Sequence, residues 1–199
     1  MRIRDGGRSG NIRRRKRSLI EQMSWVLPRN VDDPIEPIDQ SGVESIHNVA
    51  MRILKDIGIE FLNSKALEVF RKAGCIVKDQ NVRMDEDFVM EKISLAPSTW
   101  TITPRNHLRQ LIVGENVLLF GNVSSPPNYW DYALRKKVPG TREQCQNLLK
   151  LSQYFNCIHF IGGYPVEPVD IHPSIRHLDV LYDKLTLTDK VCHAYSLGK

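Results

Sequence analysis

Cysteine is scarce in this chain: among 199 residues only Cys75, Cys145, Cys157 and Cys192 occur, scattered, with no Cys-x-x-Cys pair. That argues against a disulfide framework or a structural zinc site. Long apolar runs are missing too. The longest, Val117 to Phe120 and Cys157 to Gly163, fall far short of the roughly 20 residues that a membrane-spanning helix needs. Nothing resembling a secretory h-region follows the start. These absences point to a protein of the reducing cytoplasm without membrane contact. Also lacking are a Gly-x-Ser-x-Gly elbow, a P-loop and a His-Glu-x-x-His pair, which removes support for ordinary hydrolase, phosphate-loop and zincin chemistry. The Gly162-Gly163 pair lacks the third glycine of a dinucleotide fingerprint.

What is present begins with charge. The net charge of +5 is concentrated in residues 1–17, where eight Arg or Lys stand against Asp5 alone, while the remainder carries 20 basic and 22 acidic residues. The basicity therefore belongs to an arm, and the body is close to neutral. Arg13-Arg14-Arg15-Lys16-Arg17 reads as a solvated arm, or as a strap over an acidic patch, ahead of a polyanion-binding segment. No zinc-finger spacing, base-stacking motif or recognition helix accompanies it.

Residues 1–40 form an expected extended leader, interrupted by Pro28, Pro34 and Pro37 and anchored by Trp25. Residues 41–140 read as an α+β extension. Ser41 and Glu44 make a capping box ahead of Val43, Ile46, Ala50, Ile53 and Ile57, with Gly58 as the stop, the pattern of an amphipathic helix. Asn63 and Asp85 stand as caps of two further helices. Thr99 to Thr103 alternates as a strand, and Gln110 to Val113 with Asn116 to Phe120 around Gly114-Glu115 predicts a hairpin. From Thr141 the rhythm changes. A helix to about Tyr154, an apolar strand Cys157 to Ile161, a helix Pro173 to Leu185 and a strand Lys190 to Tyr195 predict a parallel βαβ unit. Two parallel strands cannot close a barrel, so residues 141–199 read as the start of an unfinished α/β sheet.

Ligands of parallel α/β sheets collect at the carboxyl ends of the strands, which directs attention to Gly162 through His172 and to Ser196-Leu197-Gly198. Tyr164 offers a π face to a quaternary ammonium, Glu167 and Asp170 offset a cation, and His193 and Ser196 face the same mouth. The alternative for the first segment is an ordinary βα loop in which Asp170 caps the next helix. The aromatic set Tyr129-Trp130-Asp131-Tyr132 reads as a packed corner or as a cation-binding wall. His172 and His177 lie five apart, unlike the i, i+4 pair of a helical zinc site, and no metal is expected.

The order of several motifs carries a resemblance. Ala50 to Phe61, Ala73 to Val77, Ala96-Pro97, Pro104-Arg105-Asn106, Thr141-Arg142-Glu143, Leu148 to Leu151, Gly162 to Asp170, Arg176 to Asp179 and Leu185 to Lys190 together resemble the N-terminal portion of the trimethylamine-corrinoid protein methyltransferase family, including its non-pyrrolysine relatives that demethylate quaternary amines. The resemblance implies a TIM-type (α/β)8 barrel preceded by an α+β extension, with the barrel incomplete within 199 residues. It implies transfer of a methyl group from trimethylamine or a related quaternary amine to the cobalt of a separate corrinoid protein, as part of one-carbon metabolism. No cofactor is bound directly, a homo-oligomer is compatible, and the catalytic residues fall beyond residue 199, leaving this portion inactive alone. The competing expectation is a non-catalytic assembly module that completes its sheet with a partner.

Overall fold

The computed structural model describes residues 20–33 and 35–197. The basic arm, Pro34 and Gly198, on which some of the expectations above rest, lie outside them. None of the helices in the described residues is long and apolar enough to cross a membrane. The described residues divide into two compact units, 31–98 and 20–30 with 99–197. The divisions thus fall after Asn30 and Ser98, whereas residues 40 and 140 mark the changes of sequence rhythm.

In the unit of residues 31–98, helix α1 spans Gln40–Arg52. Its cap is Asp39, not Ser41: the Asp39 carboxylate accepts from Gly42 N at 2.8 Å and from Ser41 Oγ at 2.9 Å. A charged acceptor one residue before the first turn displaces the serine hydroxyl, and Glu44 is engaged by Gln40 instead of closing the expected box. The backbone bond from Gly42, followed by that from Ser41, holds the Asp39 carboxyl below its ordinary range. A π turn, Ile53–Ile57, continues the helix to Gly58, whose φ of 81° is open to glycine. A Cβ there would also press on Val82 O. Strands β1 (Ile59–Glu60), β2 (Ile76–Lys78) and β3 (Asn81–Arg83) form an antiparallel sheet in the order β1-β3-β2. The central position brings Val82 opposite both Ile59 and Val77 and buries it. Helix α2 (Ser64–Lys72) starts on Asn63 and α3 (Glu86–Ser94) on Asp85, each cap accepting from the first turn as expected.

The other unit opens with β4 (Trp100–Ile102), paired antiparallel with β5 (Leu111–Val113). The expected hairpin after Gly114 does not form. Past the turn, Leu118 N donates to Pro28 O at 2.7 Å, Val117 bridges Arg29, and Gly121 bridges Phe160 in the parallel sense. The apolar run Val117 to Phe120 finds these partners in place of β5. A hairpin not anticipated, β6 (Asn128–Asp131) with β7 (Lys136–Pro139), carries the aromatic set. Its alternation splits the cluster: Tyr129 packs against the core, while Trp130 and Tyr132 are exposed.

Helix α4 (Arg142–Tyr154) follows the Thr141 cap, and β8 (Phe160–Ile161), α5 (Pro173–Leu187) and β9 (Val191–Cys192) complete the βαβ order. β8 and β9 are parallel, with Phe160 opposite Val191 and Ile161 opposite Cys192. Both strands are shorter than their apolar runs. The core consists of Cys145 and Leu149 from α4, Ile161 from β8, Val180 from α5, and Tyr164 and Val166 from the loop after β8. Burial drives the Cys145 thiol up to about 11, so it behaves as a small hydrophobe.

The motifs at Arg105-Asn106 and at Thr188-Asp189-Lys190 meet in space. Arg105 donates to Leu185 O and Thr188 O, and Asn106 to Asp189, so that 99–140 is fastened to the end of α5. Lys190 Nζ donates to Ser152 O at 2.6 Å and Phe155 O at 2.7 Å, satisfying carbonyls at the end of α4. Burial first, and then the nearby Arg109 charge, bring its amine down to about 8.

Residues 20–30 lie along this unit as a strap. Trp25 has Arg109 over its ring at 4.3 Å and Lys190 at 5.4 Å, and meets His159 edge-on at 5.0 Å, which bears out its expected anchoring role. His159 is buried; its Nδ1 accepts from Phe120 N at 2.9 Å, which leaves Nε2–H to donate to Val26 O at 2.9 Å. This fixes the neutral imidazole. Burial lowers its pKa, an effect only partly offset by the Val26 bond. The unfolded chain then takes up the proton first as pH falls below about 6.5, so stability is lost from there down to the folded pKa. Urea midpoints at pH 7.5 and 5.5 are expected to fall further for the native protein than for His159→Gln; equal falls would contradict this.

Candidate functional site

Three parallel segments end side by side: Gly121 beside Phe160, and β8 beside β9. Beyond their carboxyl ends come Asn122 to Ser125, Gly162 to Tyr164, and His193 to Ser196. Asn122 Oδ1 accepts from Gly162 N at 3.0 Å, and Ser125 N donates to Tyr164 O at 2.6 Å. His193 N donates to Ile161 O at 2.9 Å. The three segments are thus laced together by backbone and amide bonds, which hold their side chains in fixed register.

At the centre stand the hydroxyls of Ser124, Ser125 and Tyr195. The Tyr195 oxygen lies 3.2 Å from Ser124 Oγ and 2.8 Å from Ser125 Oγ, and Ser125 Oγ accepts from Tyr164 N at 3.2 Å. All three oxygens crowd over Gly163, where a Cβ would overlap each of them. The glycine pair is therefore required for close approach of the two loops, not for a phosphate. The Tyr195 ring meets Tyr164 edge-to-face at 4.8 Å and His193 at 5.0 Å. Beneath them Lys184 is buried, its Nζ donating to His193 O at 2.6 Å and standing 5.6 Å from the Tyr164 ring centre.

The five residues singled out from sequence occupy this end of the sheet in different ways. Tyr164 is buried, one ring contact already supplied by Lys184; burial, then Glu167, raises its phenol pKa. His193 and Ser196 are exposed at the mouth. Glu167 forms an ion pair with Arg176, itself bonded to Ile171 O. Asp170 accepts from Arg142 N at 2.9 Å, which places its charge at the start of α4. It does not cap the next helix; His172 does, accepting from Ser174 N. In the stretch Arg176 to Asp179, Arg176 pairs with Glu167 and Asp179 with Arg142 at 3.3 Å. Among the described residues no three His, Cys, Asp or Glu side chains gather as a metal-holding group.

Asn122, Ser124, Ser125 and Tyr195 were not anticipated as site residues. The signal for the first three was the apolar run ending in Gly121, the same run-then-glycine pattern that marks Ile161-Gly162. Tyr195 followed a strand expected to run through it.

This arrangement defines a protein with parallel α/β segments that gathers hydroxyl and aromatic groups at their carboxyl ends, the usual ligand side of such sheets. The chain belongs to the trimethylamine methyltransferase (MTTB) family, which it matches over residues 4–199. It is 33% identical over 163 residues to the glycine betaine methyltransferase of Desulfitobacterium hafniense (strain Y51), covering 81% of this chain and 34% of that protein. It is 41% identical over 61 residues to the proline betaine:corrinoid methyltransferase of Eubacterium limosum, covering 31% of this chain and 13% of that protein. With the trimethylamine methyltransferase MttB of D. hafniense (strain DSM 10664 / DCB-2) it shares 26% over 133 residues, 66% of this chain and 27% of that protein. The chain thus spans about a third or less of the length of these relatives.

Proposed function

We propose that the protein transfers a methyl group from a methylated amine, trimethylamine or a quaternary relative, to the cobalt of a separate corrinoid protein in the cytoplasm. The observation that carries this reading is the family match over residues 4–199. The parallel segments after Phe120, at β8 and at β9 are read as early strands of an (α/β)8 barrel, with the substrate over their carboxyl ends. Such a donor suits the reaction because the C–N bond breaks with its electron pair on nitrogen, releasing a neutral amine. The corrinoid, when its protein docks, supplies the nucleophilic metal. No described residue is proposed to ligate it.

What this chain contributes is positioning. The laced loops hold His193 and Tyr195 in fixed contact over the buried Tyr164, presenting a preorganised wall against which a small cation is oriented and from which water is excluded. Because the chain covers 34% of the glycine betaine enzyme, its 199 residues are read as part of the machinery and as inactive alone.

The test is methyl transfer from trimethylamine, glycine betaine and proline betaine to a reduced corrinoid protein, followed by the cobalt absorbance. The full-length protein is expected to turn over at least one donor and the 199-residue chain none. Failure with every donor would overturn the methyltransferase reading, and turnover by the short chain would overturn its inactivity.

A further inference from the structure

We propose that the outward face of helix α1 is a two-fold dimer interface, on which α1 of a second copy of this chain packs antiparallel. This surface lies in the unit of residues 31–98 and is independent of the methyl-transfer reading above.

The helix turns its strongest apolar stripe away from the unit it belongs to. Val43, Ile46, Ala50, Ile53 and Ile57 recur at alternating spacings of three and four, yet all five are exposed, the four larger ones by 46% to 64%. A different side faces the unit. There His47 contacts Glu86 at 3.2 Å, Leu54 O accepts from Met84 N at 3.1 Å, and His47, Met51 and Leu54 are half-buried. No residue of α1 is fully buried. An amphipathic helix ordinarily covers such a stripe, and a contiguous exposed apolar surface marks a contact site.

Spacing, symmetry and charge identify the cover as a second copy. Spacings of three and four are those of a seam between two packed helices, whose side chains interlock as knobs in holes, so the partner is itself a helix with a like seam. The stripe also reads alike in both directions from Ala50: isoleucine stands on either side, at 46 and 53, and β-branched Val43 and Ile57 stand at the ends. A two-fold axis at Ala50 therefore sets Ile46 against Ile53 of the second copy and Val43 against its Ile57. The smallest side chain meets its own image, which lets the helices approach closely. Such self-complementarity is what an interface between identical copies requires. Glu44, Arg52 and Lys55 stand three or four residues from no member of the stripe, and Asp56 alone of the charged residues of this segment borders it, at Ile53. Antiparallel pairing puts the two Asp56 carboxylates at opposite ends of the seam, whereas parallel pairing would set them together. It also aligns the two helix dipoles head to tail.

Sedimentation equilibrium of the full-length protein tests this. The native protein is expected to dimerise. Ile46→Glu and Ile53→Lys are each expected to weaken the dimer at least about a hundredfold, since each buries an unpaired charge. The two variants mixed together, and the double variant Ile46→Glu/Ile53→Lys, are expected to dimerise again, because the antiparallel register puts a new acid against a new base. Ala50→Cys is expected to form an interchain disulfide on mild oxidation, and the off-stripe Ser45→Cys no more than the native protein. Circular dichroism is expected to show unchanged helix content in the single variants; helix lost there would show that the stripe packs within its own chain and would overturn the proposal. A monomeric native protein, single variants that dimerise as tightly as it, failure of the mixture to recover, or no disulfide at position 50 would each overturn it as well.

Discussion

Replacing Asp183 with alanine is expected to cost about 3 kcal/mol of folding stability, the lower end of what breaking a buried charge pair removes. Asp183 is 2% exposed on α5 and accepts three bonds from α4: Arg142 Nε at 2.9 Å, Arg142 Nη2 at 3.1 Å and Gln146 Nε2 at 2.9 Å. The bond to Asp183 also raises the Arg142 guanidinium above its ordinary value. Removing the acid strands three donors, two on Arg142 and one on Gln146, against an apolar neighbour. The cost stays at the lower end because the Arg142 side chain is 35% exposed and keeps Asp179. Asp183→Asn retains an acceptor and should lose about half as much. Urea denaturation gives both values. A loss below about 1 kcal/mol for the alanine variant would show that the two helices are held by their apolar faces alone.

Leu149→Ala is expected to cost a similar amount, about 2–5 kcal/mol. Leu149 is fully buried among Cys145, Ile161, Tyr164, Val166 and Val180, so its removal opens a cavity at the junction of α4, β8 and the loop that shapes the site. Leu151, two residues on and 51% exposed, is the internal control; its alanine variant should stay within about 0.5 kcal/mol. Because Tyr164 belongs to the same cluster, the Leu149 variant should also weaken substrate binding. Equal losses at 149 and 151 would contradict the assigned core.

Much of this fold was legible because its signals are local. Asn63, Asp85 and Thr141 each cap the helix they announce, since a cap needs only its own first turn. The strand, helix, strand order ending at Cys192 followed from periodicity, and the parallel pairing of Phe160 and Ile161 agrees with it. What periodicity does not carry is the identity of a strand's partner. Val117 to Phe120 has the look of a hairpin arm, yet its partners are Pro28 to Asn30 and Phe160, about 90 and 40 residues away. The site was half legible for the same reason. Tyr164, His193 and Ser196 lie where the carboxyl-end rule places them, but Glu167 and Asp170 looked free only because Arg176 and the α4 amide could not be seen reaching them. The hydroxyls of Ser125 and Tyr195, 70 residues apart, converge at 2.8 Å through tertiary pairing alone.

Hydrogen exchange of the full-length protein with and without glycine betaine tests directly the proposal that substrate lies over the carboxyl ends of the parallel segments. The expected result is slower exchange confined to residues 122–125, 162–164 and 193–196, with the strap at Trp25 and residues 31–98 unchanged. Protection along the strap or within residues 31–98, with none at these three segments, would contradict it.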